Sequence, residues 1–192
     1  VGKIEITNSD FDLYTMVEDV KMMFIPRFEV KKLDFTIVLD SSVPRYIQSD
    51  QQRLKQILIN LFGNALKFTQ NGYVKGTIKC KYNQLYFTVE DTGLGIGLEN
   101  QKKIFKPFEQ INSSKFTKNG TGLGLAITKE LISLLGGRID LKSKLDKGSL
   151  FSFNIRFKSS NIIHAENKIE KDFPLKNEKF FLTILVVDDI QE

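Results

Sequence analysis

The sequence lacks several features that would assign it to a class at once. Cys80 is the only cysteine among 192 residues, so no disulfide can form within the chain, as expected for a cytoplasmic protein. No apolar run approaches the roughly 20 residues that a membrane-spanning helix needs, and no signal peptide is visible at Val1. Neither the G-x-x-x-x-G-K-[ST] phosphate loop nor the dinucleotide fingerprint occurs. These absences exclude a disulfide scaffold and predict no membrane contact by this part of the protein.

The composition is that of a globular domain with an appendage. Apolar residues make up 41% of the chain and charged residues 27%, and the length suffices for one well-packed domain. The net charge is +5, but the lysines are scattered rather than clustered, which favours a solvated surface over a nucleic-acid face. We therefore expect no nucleic-acid partner.

Two glycine clusters flank an aromatic segment and a polar loop, residues 111–119. The first cluster is Asp91-Thr92-Gly93-Leu94-Gly95-Ile96-Gly97, and the second is Gly120-Thr121-Gly122-Leu123-Gly124-Leu125. Glycine lets a backbone or a ligand approach closely, although either cluster alone would more simply be a turn. The second cluster runs into a helix predicted at residues 123–135, whose N-terminal N–H groups favour phosphate. Together they predict a phosphate pocket covered by a mobile loop.

A second informative stretch is a helix that follows a capping-box pattern at residues 49–52. Its apolar residues form two faces, between which a narrow polar stripe remains: Asn60, Asn64 and Lys67. A buried polar group costs free energy unless it is satisfied, so these residues are either satisfied asparagines, a solvated edge or ligand contacts. Beside the glycine clusters, the favoured interpretation is an amide oxygen for a metal and an ammonium for a phosphate.

The remaining elements mix helices and strands. A helix is predicted at residues 11–32, with its cap in residues 8–10 and a kink or break at Pro26. Strands are predicted at residues 3–7, 35–39, 73–82, 85–90, 139–143 and 149–157, with a hairpin turn at residues 83–84. Because βαβ alternation is not strict, the order predicts an α+β fold, a two-layer α/β sandwich whose mixed, largely antiparallel sheet carries helices on one face.

After Ser159 the composition changes. Residues 161–179 are polar and weakly periodic, which is typical of a linker. The apolar run Phe181-Leu182-Thr183-Ile184-Leu185-Val186-Val187 then ends in Asp188-Asp189, which resembles a buried parallel strand that delivers two carboxylates.

Four motifs occur in the order that sensor histidine kinases show. Residues 60–69 resemble their N box, residues 91–96 the G1 box, residues 105–108 the F box and residues 120–125 the G2 box. The resemblance covers residues 1–158 and identifies the catalytic and ATP-binding domain of this family, within the GHKL (Bergerat) ATPase superfamily. Residues 181–192 resemble the first strand of a response-regulator receiver, with residues 159–180 as the linker. Together they imply part of a hybrid histidine kinase.

The resemblance implies a site for ATP and Mg²⁺. Asp91 would accept a hydrogen bond from the adenine amino group, and Asn64 would give its amide oxygen to Mg²⁺. The implied catalytic residues are Asn60, Asn64 and Lys67. The implied ATP-binding residues are Asn60, Asn64, Lys67, Phe68, Asp91, Gly93, Gly95, Ile96, Phe105, Phe108, Lys115, Lys118, Gly120, Thr121, Gly122, Leu123, Gly124, Leu125 and Ser149. Either Lys115 or Lys118 would reach the γ-phosphate, and Phe105 and Phe108 would anchor the loop on apolar surface.

The implied reaction is γ-phosphoryl transfer to a histidine on a dimerisation hairpin that this sequence does not include. That hairpin and a receiver domain are the implied partners. The implied location of this domain is the cytoplasm, within a homodimeric phosphorelay protein that is either soluble or membrane-anchored. His164 is interpreted as a linker residue, since it lacks the acceptor's signature. The related ATPases carry a glutamate general base at the position of Asn60, where an amide cannot serve. The alternatives are an ATP-hydrolysing conformational switch and a catalytically degenerate nucleotide-binding scaffold.

Overall fold

Helices and strands alternate irregularly along the chain in the computed structural model, which describes residues 5–109 and 121–160. In chain order the elements are β1 (Ser9–Asp12), α1 (Leu13–Val30), β2 (Asp34–Leu39), β3 (Tyr46–Ser49), α2 (Gln51–Phe68), β4 (Tyr73–Lys81), β5 (Gln84–Asp91), α3 (Leu98–Gln101), α4 (Gly124–Leu134), β6 (Ile139–Lys144), β7 (Gly148–Arg156) and β8 (Lys158–Ser159). A 3-10 turn, Lys103–Phe105, follows α3. Within the described ranges, no helix is long and apolar enough to cross a bilayer.

The main sheet has five strands in the order β2-β4-β5-β7-β6. Strand β2 runs parallel to β4, and the other neighbours are antiparallel. Along β5, the buried residues Leu85, Phe87 and Val89 alternate with more exposed ones, so one face packs against helices and the other faces solvent. The predicted α+β sandwich, with a mixed, largely antiparallel sheet and helices on one face, is confirmed.

Helix α2 is central to the hydrophobic core. Its buried residues include Leu54, Leu58 and Phe62, and the Phe62 ring packs edge-on against Phe35 at a centroid distance of 5.4 Å. Gly76 of β4 makes this close packing possible, because a Cβ there would lie 2.8 Å from the Phe62 ring. The helix is thereby pressed against the sheet, which fixes the position of its polar stripe.

The N-terminal region differs from the prediction. Residues 5–7 are not in a strand, and Ser9–Asp12, predicted as cap and helix, forms β1 beside β3. The cap of α1 is Asp12, whose carboxylate accepts hydrogen bonds from the Thr15 N–H at 3.0 Å and from Arg45 Nε at 2.7 Å. Burial opposes its ionisation, yet these bonds and the Arg45 charge hold the pKa of Asp12 below its usual value. Pro26 lies within α1 without dividing it.

Three further local predictions need correction. The cap of α2 is Asp50 rather than Ser49, because Ser49 ends β3 and pairs with Ser9, while the Asp50 carboxylate accepts from the N–H groups of Thr7 and Arg53 at 2.9 Å. The hairpin turn comprises residues 82–83, both with positive φ, instead of 83–84. Strands β3 and β8, which form a second, three-stranded sheet with β1, were not predicted.

Gly63 lies inside α2 without a packing reason in the described part of the chain, since a Cβ built there meets no described atom within 4 Å beyond its neighbours and the backbone of its own helix. We expect Gly63→Ala to raise the free energy of unfolding by about 0.5–1 kcal/mol, because alanine favours helix interiors over glycine. Urea denaturation measures this change. Gly76→Ala is the matched control and should lower stability, and a loss of stability in Gly63→Ala would contradict the open space seen at this position.

Candidate functional site

Three polar side chains form a row across the main sheet at the carboxyl end of β5. The strand register aligns Asp91 of β5 with Ser149 of β7, and Ser149 with Ser143 of β6. Asp91 and Ser149 are buried on the helix-bearing face, and the Ser143 and Ser149 hydroxyl oxygens lie 3.0 Å apart. This polar row, Asp91-Ser149-Ser143, lies at the end of an otherwise apolar face of the sheet. Binding pockets commonly combine a few polar groups with a mainly hydrophobic lining in this way.

Asp91 is a desolvated hydrogen-bond acceptor. Burial raises the pKa of its carboxyl group above the usual value, and the neighbouring Glu90 charge adds to this rise. The N–H groups of Gly93 and Ser149 donate to the carboxylate and offset part of it, with the Gly93 bond at 2.9 Å. A buried carboxylate of this kind gains from any further donor that a ligand brings.

The glycines of the first cluster pack against protein backbone. A Cβ on Gly93 would lie 2.5 Å from the Phe68 carbonyl oxygen, which also accepts the Leu94 N–H at 3.2 Å. Gly95 has a φ of +64°, and a Cβ there would collide with the Lys144 carbonyl. These contacts seat the loop between the end of α2 and the β6–β7 turn. The predicted role of Gly93 and Gly95 towards a purine stays a prediction.

Two residues that sequence reasoning missed hold this loop. The Ile96 N–H donates to Ser143 Oγ at 2.8 Å, and Gln101 Nε2 donates to the carbonyl groups of both Ile96 and Ser143 at 2.9 Å. A signal for Ser143 existed, because it continues the inward positions of Ile139 and Leu141 as a polar residue. Gln101 gives no such signal, since its partners are set by tertiary structure.

The end of α2 is held by Lys31, another residue that the sequence did not single out. Its ammonium group donates to the Leu66 carbonyl at 2.6 Å and to the Thr69 carbonyl at 3.3 Å, which satisfies the last turn of the helix. The Lys67 ammonium lies 5.1 Å from the centroid of the Phe68 ring. Lys67 is half-buried and Phe68 is 38% exposed, so both lie at the accessible edge of the helix.

The two asparagines of the polar stripe have different surroundings. Asn60 Nδ2 donates to Thr128 Oγ1 at 2.8 Å, and a Cβ on Gly124 would collide with the Asn60 amide oxygen. Asn60 therefore joins α2 to the first turns of α4, and the missing Cβ of Gly124 leaves room for its amide. Asn64, one turn further, is half-buried, and no hydrogen bond links its amide to residues 5–109 or 121–160.

The donor set around Asn64 fits a magnesium ion that arrives with a nucleotide. Among the described residues, no group of three or more His, Cys, Asp or Glu side chains could hold a metal ion. Mg²⁺ in nucleotide sites characteristically takes one or two protein oxygens and completes its shell with phosphate oxygens and water. One amide oxygen suits that chemistry and would not hold a cation by itself.

Helix α4 begins within the second glycine cluster. Leu123 occupies the cap position without a side-chain capping bond, and Gly124 and Leu125 open the helix, so the first turn presents backbone N–H groups. Gly122 has a φ of +72°, and its carbonyl accepts the Phe108 N–H at 3.0 Å. Exposed Thr121 accepts the Leu123 N–H at 3.4 Å. Such an uncapped helix start is suited to a phosphate group.

The two phenylalanines of the aromatic segment differ. Phe105 is half-buried and meets Phe151 edge-on at 6.5 Å between centroids. Phe108 is 75% exposed and has a φ of +64°, so it does not pack on apolar surface as predicted. The predictions for Lys115, Lys118, Gly120, residues 111–119, His164 and the tail lie outside the described residues.

Helix α2 connects the two parts of the site. Near its C-terminal end, Phe68 contacts the loop that follows Asp91, and eight residues earlier Asn60 contacts the start of α4. At a rise of 1.5 Å per residue this separation is roughly 12 Å. A buried acceptor and a phosphate-favouring helix start thus lie at opposite ends of one helix segment, which suits a ligand with a polar base at one end and phosphates at the other.

A family model supports this interpretation of the geometry. Residues 49–159, more than half of the chain, match the family described as histidine kinase-, DNA gyrase B- and HSP90-like ATPases. The chain belongs to this family. It is 32% identical to the catalytic domain of histidine kinase ThkA, with a TM-score of 0.66 over 78% of this chain and 97% of that one, which places it among the histidine kinases.

Two curated relatives are named as a hybrid histidine kinase and a sensor protein. The chain is 38% identical over 160 residues to hybrid signal transduction histidine kinase B of Dictyostelium discoideum, which covers 80% of the chain and 8% of the relative. It is 34% identical over 194 residues to the aerobic respiration control sensor protein ArcB of Escherichia coli K12, which covers 98% of the chain and 24% of the relative. The chain therefore spans less than a quarter of each.

Two solved structures show the same fold. Full-length ShkA in complex with AMPPNP matches with a TM-score of 0.73 and 32% identity over 83% of this chain and 33% of that one. Histidine kinase ThkA in complex with the response regulator protein TrrA matches with a TM-score of 0.64 and 29% identity over 79% of this chain and 42% of that one. The predicted resemblance to histidine kinase catalytic domains is confirmed.

Proposed function

We propose that this chain binds Mg-ATP and transfers its γ-phosphoryl group to a histidine on a separate dimerisation hairpin. The observation that carries the proposal is the placement of Asp91 and the start of α4 at the two ends of one segment of α2. The match to ShkA, which was solved with AMPPNP, supports an ATP site in this fold. Transfer to histidine is supported by the histidine kinases among the relatives.

Each end of the site has a role in this reaction. Asp91 accepts a hydrogen bond from the adenine amino group, and Ser149 supports that end. Asn64 gives its amide oxygen to Mg²⁺, Lys67 meets phosphate, and the N–H groups of Gly124 and its neighbours receive phosphate oxygens. Bound Mg²⁺ would supply charge neutralisation at the phosphates. Phosphoryl transfer needs mainly positioning and charge neutralisation from a protein, and these residues provide both.

The larger organisation is part of the proposal. Residues 1–158 form the catalytic domain, residues 159–180 a linker, and residues 181–192 the first strand of a receiver domain. The Dictyostelium relative is named a hybrid histidine kinase, and this name supports a receiver that follows the catalytic domain. ThkA was solved with a response regulator, which supports a receiver as partner. We propose that the full-length protein is a homodimer. Its catalytic domain would lie in the cytoplasm, where ATP is available.

Asn60 argues against the alternative of an ATP-hydrolysing switch. An amide has no basic lone pair with which to take a proton from water. In this structure its NH₂ group is also engaged by the hydroxyl of Thr128, which is 2% exposed. Asn60 therefore has a structural task between α2 and α4, and hydrolysis should be slow.

Incubation with γ-labelled ATP and a supplied histidine hairpin tests the proposal. We expect acid-labile, alkali-stable label on the hairpin, which only the kinase produces. Phosphate release without labelled hairpin would instead identify the conformational switch. Nucleotide binding with neither product would identify the degenerate scaffold.

The raised pKa of Asp91 predicts how affinity depends on pH. Its carboxyl group takes up a proton at a higher pH than an ordinary aspartate at 3.8, and the protonated form loses an acceptor that the adenine amino group needs. ATP affinity should therefore fall more steeply in the wild-type chain than in Asp91→Asn as the pH is lowered towards 4, because protonation of the nucleotide itself affects both proteins alike. The ionised carboxylate costs folding free energy, so its cost to stability should disappear over the same range. Calorimetry measures the ATP affinity across this pH range, and urea denaturation measures the free energy of unfolding. A wild-type affinity that does not change with pH would contradict the role of Asp91 as the acceptor for the adenine amino group.

A further inference from the structure

The polar row Asp91-Ser149-Ser143 contains a serine that the proposed function does not use. Ser143 Oγ has three polar neighbours: the Ile96 N–H at 2.8 Å, the Gly148 carbonyl oxygen at 2.8 Å and Ser149 Oγ at 3.0 Å. The first can only donate, the second can only accept, and the third can do either.

Counting protons fixes the direction of these bonds. A serine hydroxyl has one proton, and the Gly148 carbonyl needs it, since two acceptors would otherwise face each other at 2.8 Å. The Ile96 N–H uses one lone pair of Ser143 Oγ, and the remaining lone pair faces Ser149. The Ser149 hydroxyl must therefore donate to Ser143, which leaves only lone pairs on Ser149 for a ligand.

We propose that Ser143 is a specificity-determining positioning residue that holds the Ser149 hydroxyl as an acceptor, so that the base end of the site selects a 6-amino purine over a 6-oxo purine. Asp91 and Ser149 are adjacent in register, and both then present acceptors. An amino group with two protons matches them, whereas a 6-oxo group meets like-charged lone pairs. Selectivity arises because a mismatched polar group is left without a partner.

The inference rests on the proposed ATP site and extends it to a residue that touches no ligand. It also links selectivity to loop position. Ser143 can hold Ser149 only while the Ile96 N–H and the Gly148 carbonyl keep their places, and Gln101 secures both Ile96 and Ser143. Base selection therefore depends on the loop and the β6–β7 turn being packed together, as the Asp146 N–H bond to the Leu94 carbonyl at 2.7 Å also requires.

Calorimetric titration with Mg-ATP and Mg-ITP tests the inference, because inosine carries the 6-oxo group without the 2-amino group of guanine. In Ser143→Ala the Ser149 hydroxyl is released to donate, so the ratio of ATP affinity to ITP affinity should fall by roughly three- to tenfold through a gain for ITP. Ser143→Thr keeps a hydroxyl and should retain the wild-type ratio. The double variant Ser143→Ala/Ser149→Ala should gain less ITP affinity than Ser143→Ala, since it removes the opposing lone pairs but supplies no donor in their place.

Each outcome separates the inference from the function on which it rests. If the wild-type chain binds neither nucleotide, the proposed ATP site and the inference both fail. If it binds ATP and Ser143→Ala leaves the ratio unchanged, only the inference fails. Ser149→Ala provides an independent check if Ser143→Ala does not fold: it removes the lone pairs that oppose the 6-oxo group, so its ITP affinity should equal or exceed that of the wild-type chain. A fall in ITP affinity would show that Ser149 already donates and would overturn the inference. A loosened loop would weaken both nucleotides and could not produce a gain for one.

Discussion

Replacing Asp91 by asparagine is expected to weaken Mg-ATP binding by about 1–3 kcal/mol, a loss of roughly 5- to 150-fold. The asparagine amide can still accept a hydrogen bond through its oxygen. Its NH₂ group, however, is a donor that faces other donors, either the N–H groups of Gly93 and Ser149 or the adenine amino group. The free energy of unfolding should change by less than about 1 kcal/mol, because the substitution also removes a desolvated charge that burial penalises. Loss of binding with retained stability distinguishes a ligand residue from a core residue.

Glu90→Gln is the matched control for Asp91→Asn. Glu90 precedes Asp91 on β5 but points to the other face of the sheet, where it accepts a hydrogen bond from the Tyr73 hydroxyl at 2.8 Å. Glu90→Gln should leave the nucleotide affinity within about twofold of the wild-type value, because the substituted side chain lies on the opposite face of the sheet from the proposed site. Calorimetry measures both variants. Unchanged ATP affinity in Asp91→Asn, or equal affinity of the wild-type chain for ATP and GTP, would remove Asp91 from the base site.

Replacing Asn64 by aspartate is expected to lower phosphoryl transfer to a supplied hairpin by roughly 100-fold or more. The substitution keeps the shape of the side chain but places a negative charge where a metal ion and phosphates are to be held. It also exchanges a neutral oxygen ligand for a carboxylate, which changes metal preference and geometry. The described residues offer Asn64 no hydrogen bond that the change would break, so folding should be retained.

Gly63→Ala serves as the control for Asn64→Asp, because it alters the adjacent residue of α2 and adds a methyl group into open space. It should transfer phosphate at the wild-type rate. The assay follows label from γ-labelled ATP into the hairpin at several magnesium concentrations. A wild-type rate for Asn64→Asp at every concentration would show that Asn64 does not hold the metal.

The sequence predicts those parts of the fold that repeat a pattern over several residues. The long strands β4, β5 and β7 alternate clearly and α4 shows helical spacing, so the bounds of these four elements were predicted within one or two residues. Strands β3 and β8 comprise four and two residues, which is too short for alternation to be recognised. The cap of α1 was misplaced because Arg45, 33 residues away from Asp12 in the chain, helps to select it.

The same distinction applies to the site. Glycine spacing and the polar stripe identify the loop after Asp91, the asparagines of α2 and the start of α4, since these signals are local. Ser143 and Gln101 act on Ile96 through hydrogen bonds that tertiary structure creates, and Thr128 meets Asn60 across 68 residues of chain. For Phe108, a local motif singles out the residue but does not predict its exposure. The exposure depends on neighbours that are distant in the sequence.

Titration of the ¹⁵N-labelled chain with Mg-ATP, followed by amide chemical shifts, tests the location of the site most directly. We expect the largest changes at Gly93 and Ile96, at the first N–H groups of α4 and at the side-chain amide of Asn64. The solvent-facing positions of the main sheet, such as Tyr86 and Thr88, should not respond. Changes confined to those positions, or no saturable change at either end of α2, would contradict a nucleotide bound between the Asp91 row and the start of α4.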